Sequence, residues 1–419
     1  MLDSVRRKGV PAGTGIGRIL LIFIAFISLG LPDGLLGVAW PSVRDGFARP
    51  LDSLGPLLLA VTAGYLSSSF LSGYIIARAG VGRLLAASCA LTGLSLLGYT
   101  WAGHWWIVLG MGVLTGVGAG AIDGGINTYV ASHYGERLMH WLHASWGVGI
   151  TLGPLLMTFG IERFESWRWG YWIVGAAQIA LGAFFAFTHP QWEDPVEPER
   201  AEHTKRLTDF RTPYGETLRQ PRVWLSGFLF LLFSGAEATA GMWIFTLLTE
   251  SRGVPTAWAG MITGGYWATF TLGRILAGLF TASLAGRGLI LSCLVGSFVG
   301  ACLLAWNPTL GVSLLGMVLV GFCMAPVFPG LVSGTGGRVG RRHAATAIGM
   351  QIGAAGLGAA VLPGLAGVLA RRTSIESIPA FLMGLLVATL VLSALASRLR
   401  AGEEQSLHGV TVEPEGKTG

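Results

Sequence analysis

The sequence predicts an all-α membrane protein with twelve transmembrane helices in two pseudo-symmetric six-helix bundles. Three observations predict it. The chain of 419 residues is 52% hydrophobic and only 12% charged, about half the charged content of an ordinary soluble domain. Its apolar residues fall into long runs, and a spanning helix needs about 20 of them. Finally, the two halves of the chain echo each other at a fixed offset.

In order, the runs cover 18–41, 55–78, 83–102, 105–131, 138–161, 167–188, 223–249, 256–281, 287–306, 309–334, 343–370 and 376–399. Before them lies a basic tail, 1–17, with Arg6, Arg7 and Lys8. The run after it continues to about Trp40 without a small-residue cleavage pattern, so it reads as a first spanning helix rather than a secretory signal. The longest polar stretch, 189–222, separates an N-terminal six-helix bundle (18–188) from a C-terminal one (223–399), and 400–419 reads as a polar, disordered tail.

Orientation follows from lysine and arginine. With both termini in the cytoplasm, 20 of the 28 basic residues fall on the cytoplasmic side, seven fall outside, and Arg274 lies within a span. This explains the net charge of +6 without a nucleic-acid partner. The expected location is the bacterial inner membrane, with both termini cytoplasmic and the protein a monomer in the lipid bilayer. Cys89, Cys293, Cys302 and Cys323 all lie in apolar runs and are expected as buried thiols.

The internal repeat has an offset of 204. Asp33 and Gly37 match Glu237 and Gly241, while Arg83, Cys89 and Arg137 match Arg287, Cys293 and Arg341. Gly64-Tyr65 and Gly265-Tyr266 correspond at 201. Parallel repeats of this kind are a common transporter plan, with the solute bound near the midplane between the halves.

Ionisable groups inside apolar spans usually face a cavity or a partner. Four are candidates for proton coupling: Asp33, which follows Pro32 in mid-run; Asp123 and His143, at similar depth on consecutive runs; and Glu237, the repeat mate of Asp33. Asn127 lies one turn from Asp123 and shares its face. With Trp146, Glu237, Tyr266, Trp267 and Gln351 it is a candidate for solute binding; Trp40, Trp243 and Gln178 lie nearby. For each of these polar groups the alternative is a static role in helix packing. Arg274 either serves the transport cycle or simply neutralises a buried acid. His140 reads as interfacial.

Two motifs are set aside. Gly116-Val117-Gly118-Ala119-Gly120 resembles a dinucleotide fingerprint, but no strand precedes it, so it reads as helix packing. Gly416-Lys417-Thr418 lacks the earlier glycine of a phosphate loop. No metal cluster, cofactor motif or nucleophile elbow is present in the sequence, so the chain is not expected to be an enzyme, a cofactor protein or an ATP-driven pump.

Gly73-Tyr-Ile-Ile-Ala77-Arg78-Ala-Gly80-Val-Gly82-Arg83 resembles the loop between helices 2 and 3 of the major facilitator superfamily, with Ala77 where that pattern has aspartate. The resemblance covers nearly the whole chain and implies the major facilitator fold, with Arg78 and Arg83 in a gate. Asp33, Asp123-x-x-x-Asn127 with Arg137 and His143, Ala325-Pro326-Val-Phe328-Pro329, and Gln351 to Pro363 are similar to the fucose permease and glucose/galactose permease branch. That likeness implies a role for the acids of helices 1 and 4 in proton coupling and sugar recognition. Asp123 stands where a glutamate is expected and His143 where an amide is, so the solute can differ from a hexose. The expected function is secondary transport of a small polar solute, such as a sugar, by proton symport. Sodium is an alternative coupling ion, and proton-driven export of amphipathic compounds an alternative activity.

Overall fold

The computed structural model describes residues 12–134, 136–192, 214–279 and 287–409. The expectations for 1–11, for most of the linker (193–213) and for 410–419 lie outside the described residues. Among those described, twelve helices of 15 residues or more follow one another. They are α1 (Ala12–Gly46), α2 (Leu54–Ala79), α3 (Val81–Trp101), α4 (Trp105–His133), α5 (Glu136–Phe164) and α6 (Arg168–Thr188). The second set comprises α7 (Pro221–Thr246), α8 (Thr256–Leu279), α9 (Arg287–Trp306), α10 (Leu310–Met324), α11 (Ala344–Arg372) and α12 (Ser377–Gly409).

Among the described residues, eleven segments are long and apolar enough to cross a membrane, which makes this an all-α, multi-spanning membrane protein. α8 is not among them, although it is 24 residues long. It carries Arg274 with several glycines and threonines, and it buries Thr263, Tyr266, Trp267 and Thr271. Its polarity is therefore turned into the protein.

The run 309–334 holds as one span, Leu310–Ser333, but its helix is interrupted: α10 ends at Met324, and Val327–Ser333 and Thr335–Val339 follow as short helices. Pro326, at the break, has no N–H to continue the ladder. The polar tail is helical as far as Gly409, because Ala401, Glu403, Glu404, Gln405 and Leu407 are good helix formers. The four cysteines are free thiols, and only Cys89 is fully buried.

The packing repeats every six helices. α1 lies on α5 as α7 lies on α11; α2 on α4 as α8 on α10; α3 on α6 as α9 on α12. Lipid offers no hydrophobic drive for helices to associate, so close contact relies on small residues. A side chain at Gly30 would strike the Trp146 carbonyl, and one at Gly149 the Ile27 carbonyl. The Gly116–Gly120 run works in the same way, its three glycines facing Val61, Thr92 and Tyr65.

The halves meet along α1–α7, α2–α11 and α5–α8. The repeat mates Gly37 and Gly241 touch each other there: a methyl on Gly37 would come 2.9 Å from the Gly241 carbonyl. One on Gly55 would come 3.1 Å from the Cα of Gly364. Beyond these contacts, Arg44 pairs with Glu250 at 2.7 Å and Arg371 with Asp52 at 3.1 Å. Toward the opposite end, which carries Arg78, open space surrounds Gly73 of α2 and Gly349 and Gly353 of α11. The close contacts between the halves named here thus gather toward the Arg44 end.

Two predictions follow from this packing. Gly149→Val should destabilise the protein by about 1–3 kcal/mol through overpacking, whereas Gly103→Ala, with nothing within 4 Å, should not; thermal unfolding in detergent checks both. At the Arg44 end, Arg252 donates to Glu376 at 2.8 and 3.0 Å and holds its carboxyl below the ordinary value of 4.5. A depressed value stabilises the fold above the unfolded-state value and loses that contribution as pH falls through the folded one. Acidifying from pH 5 to 3 should therefore lower the melting temperature of the native protein more than that of Glu376→Gln.

Candidate functional site

The tight α1–α5 contact fixes the first part of the site. Gly34 lies against the Ile150 carbonyl, as Gly30 lies against that of Trp146. This sets Asp33 beside the Trp146 indole, whose Nε1–H donates to Asp33 Oδ2 at 3.2 Å. Asp33 is exposed although it lies deep in the sequence of a spanning helix. Pro32 does not open the helix, and α1 runs unbroken through it.

Across the interface, α7 and α8 supply an ion pair. Arg274 lies 3.5 Å from Glu237, and both side chains are largely buried. The guanidinium is 5.3 Å from the Trp146 ring and 4.5 Å from Phe270, within cation–π range. Trp267 meets Trp146 edge-on at 6.5 Å, and Gly241 gives its ring room. Tyr266 is 1% exposed, and its hydroxyl has no hydrogen-bond partner. Asp33, Trp146, Arg274 and Glu237 form one continuous chain from the first half to the second.

The third carboxylate is held differently. α2 and α4 approach through Gly64, Gly116 and Gly120, which sets Tyr65 against Asp123. The Tyr65 hydroxyl donates to Asp123 Oδ2 at 2.6 Å, and Asn127 Nδ2 donates to Oδ1 at 2.9 Å. Asp123 therefore has two neutral donors.

Of the residues singled out in sequence, the structure joins Asp33 with Trp146, Asp123 with Asn127, Glu237 with Arg274, and Trp146 with Arg274 and Trp267. It does not bring His143 to Asp123: His143 is exposed, and its ring meets Phe26 edge-on at 5.7 Å. Gln351 is fully buried, donating to Ser226 at 2.6 Å and accepting from Thr335 at 3.0 Å within the second half. Gln178 donates to the Ser28 carbonyl at 2.8 Å. Trp40 and Trp243 are buried, with the indole of Trp243 donating to the Pro363 carbonyl. Arg78 and Arg83 are exposed, Arg78 lying 4.3 Å over the Tyr74 ring. The side chain of His140 is outside the described set.

Sequence reasoning missed Tyr65 as a partner of Asp123. The signal was its place as repeat mate of Tyr266. It also missed the cross-half pairs Arg44–Glu250 and Asp52–Arg371, for which no local pattern exists.

Breaking a buried ion pair by removing one member costs about 3–5 kcal/mol, while removing both is often nearly neutral. Arg274→Leu should therefore lower the melting temperature in detergent more than the double variant Arg274→Leu/Glu237→Leu does.

The geometry agrees with the comparisons. "Bypass of stop codon protein 6" of Saccharomyces cerevisiae is 25% identical over 402 residues, covering 86% of this chain and 78% of its own. Human "sodium-dependent glucose transporter 1" is 23% identical over 385 residues, covering 83% of this chain and 73% of its own. The crystal structure of nucleoside transporter NupG has the same fold, with a TM-score of 0.74 at 16% identity, covering 90% of this chain and 98% of that one. The Major Facilitator Superfamily pattern itself matches residues 22–287, well over half the length, and with the six-helix repeat this assigns the family: the chain belongs to the Major Facilitator Superfamily.

Proposed function

We propose that this secondary transporter moves a small polar solute of the sugar or nucleoside class by proton symport. In this reading twelve spans form two six-helix bundles, 18–188 and 223–399, joined by the linker 189–222. They rock about the cavity between them. The membrane is the bacterial inner membrane with both termini in the cytoplasm, so the Arg78 end is the cytoplasmic one and the cavity faces inward.

The observation that carries the reading is the state of Asp33. It is a carboxylate in mid-span, exposed between the halves, with a single neutral donor from Trp146. Such a group can exchange a proton with the cavity, and its protonation removes a charge from the path of the halves. Asp123, with Tyr65 and Asn127, is the second exchange site, and the exposed His143 supplies a base on the cavity side of α5. The partly exposed Asn127, Trp146 and Glu237 offer hydrogen-bonding and aromatic surfaces to a ring-shaped polar solute, and the buried Tyr266 and Trp267 join them only as the halves move. Gln351 supports this wall from behind. Arg78 and Arg83 act at the cytoplasmic gate, and Arg274 balances the charge of the cavity.

The names of the relatives support a sugar or nucleoside and keep sodium as the alternative coupling ion. The Trp146, Trp267 and Phe270 wall also favours a second reading, proton-driven export of amphipathic compounds.

Proteoliposomes test these readings together. With sugars and nucleosides as a panel, an imposed pH gradient should drive accumulation of one of them and a sodium gradient should not. Asp123→Asn should abolish accumulation while sparing counterflow exchange. Unchanged accumulation in that variant removes Asp123 from the mechanism, and efflux of amphipathic dyes in place of solute uptake establishes the exporter.

A further inference from the structure

The two acids of the first half share one neighbourhood, and Tyr65 belongs to it. α1 meets α4 directly, and α2 packs along α4. Asp33 on α1 is near enough to Asp123 on α4 for the charge of Asp123 to act on it, and the charges of both act on Tyr65. Two like charges in one poorly solvated space are costly, so one acid of such a pair takes a proton well before the other.

Hydrogen bonds and burial pull in opposite directions on which acid that is. A donor favours the charged carboxylate, and loss of water favours the neutral acid. Asp33 is exposed and has one donor, the Trp146 N–H at 3.2 Å. Asp123 is half-buried and has two, the Tyr65 hydroxyl at 2.6 Å and Asn127 Nδ2 at 2.9 Å. The Tyr65 bond has the length of a hydroxyl donating to a charged oxygen, about 2.5–2.7 Å. Burial alone would send the first proton to Asp123. Each donor to its charged form opposes that by about 1–2 pH units.

We propose that Tyr65 is a positioning residue that sets the order of protonation: its hydroxyl keeps Asp123 charged, so that the first proton goes to Asp33. The charge retained on Asp123 in turn holds that proton in place, and Asp123 is loaded second. This deepens the reading of the two acids as proton-exchange sites and rests on it.

Within the span, the other titratable groups on the elements packed against α1 and α4 include His143 on α5, Glu237 on α7, and Tyr266 and Arg274 on α8. Glu237 and Arg274 face each other at 3.5 Å, and His143 lies against Phe26. α3 turns the neutral Thr92 to α4, and α6 turns the neutral Gln178 to α1. The charge that acts on Asp33 is that of Asp123.

Tyr65 can be varied without disturbing the helix contact, because Gly116 and Gly120 pack on its backbone and not on its ring. Infrared titration of the protonated-carboxyl bands on purified protein reads both acids without any transport assay, with Asp33→Asn and Asp123→Asn identifying the bands. As pH falls in the native protein, the Asp33 band should appear before the Asp123 band. Tyr65→Phe keeps the ring and removes the donor. There the Asp123 midpoint should rise by about 1–2 pH units, the worth of one hydrogen bond to a charged group. The Asp33 midpoint should fall in the same variant, and also in Asp123→Asn, because its neighbour's charge is lost. Adding Tyr65→Phe to Asp123→Asn should then move the Asp33 midpoint no further, since Tyr65 acts through Asp123; a merely structural role would move it again. An Asp123 band that appears first in the native protein, an Asp123 midpoint that ignores Tyr65→Phe, or an Asp33 midpoint that ignores Asp123→Asn each overturns the proposal while leaving the proton sites standing. A native protein in which neither acid gives a titrating band overturns the proton-site reading and the inference with it.

Discussion

A carboxylate in the middle of an apolar span must be neutral, paired or wet, because a bare charge there is expensive. The architecture of the site follows from how this chain meets that demand three times. Asp123 is surrounded by neutral donors from Tyr65 and Asn127. Glu237 is given a cation, Arg274. Asp33 is left exposed, with one indole N–H. Each solution requires helices to approach closely at a chosen height. The glycines supply that: Gly30 and Gly149 for Asp33, Gly64 and Gly120 for Asp123, and Gly241 for the Trp267 ring beside Glu237. A bulkier residue at these positions would move the acid away from its partner as well as loosening the packing.

The repeat gives both halves one frame and lets the chemistry diverge within it. Gly37 and Gly241 still touch where the halves meet. Asp33 and Glu237 occupy matching places, yet one is exposed and the other pairs with arginine. Tyr65 and Tyr266 are also mates. Tyr65 donates to Asp123, whereas the position matching Asp123 at an offset of 204 is Val327, an apolar residue. The Tyr266 hydroxyl has no such acceptor and is buried unsatisfied. A buried unpaired hydroxyl costs free energy, and it persists here in the half whose acid is held by a cation instead.

Depth along the membrane was legible in the sequence, and direction around each helix was not. A run of apolar residues fixes how far a side chain lies from either end, since each residue adds about 1.5 Å. That is why the helices, the six-helix repeat and the mid-span position of Asp33, Asp123 and Glu237 could be read directly. Which neighbour a side chain meets depends on the rotation of two helices and on their order in space. Depth alone paired Asp123 with His143, whereas the α2–α4 contact turns Asp123 to Tyr65 and leaves His143 beside Phe26. Gln351 shows the same limit. An amide between glycines suggests an open surface, but the rotation of α11 tucks it between Ser226 and Thr335. The break at Pro326 was a local signal overridden by the hydropathy of the run around it.

The Arg44 end of the molecule is held lightly. Arg371, opposite Asp52, is more than half exposed at 57%, and Glu250, opposite Arg44, is also partly open. Such surface pairs contribute only about 0–1 kcal/mol each. The glycine contacts at Gly37–Gly241 and Gly55–Gly364 add close packing but bury little side chain. Moving a two-state equilibrium from one side to the other takes about 5.5 kcal/mol of differential binding. A strongly bolted interface would put that out of reach of a small solute and a proton. In the proposed transport cycle, close backbone contacts and partly exposed ion pairs leave mainly the apolar packing between the halves to be overcome by a charge change at Asp33 and a bound solute.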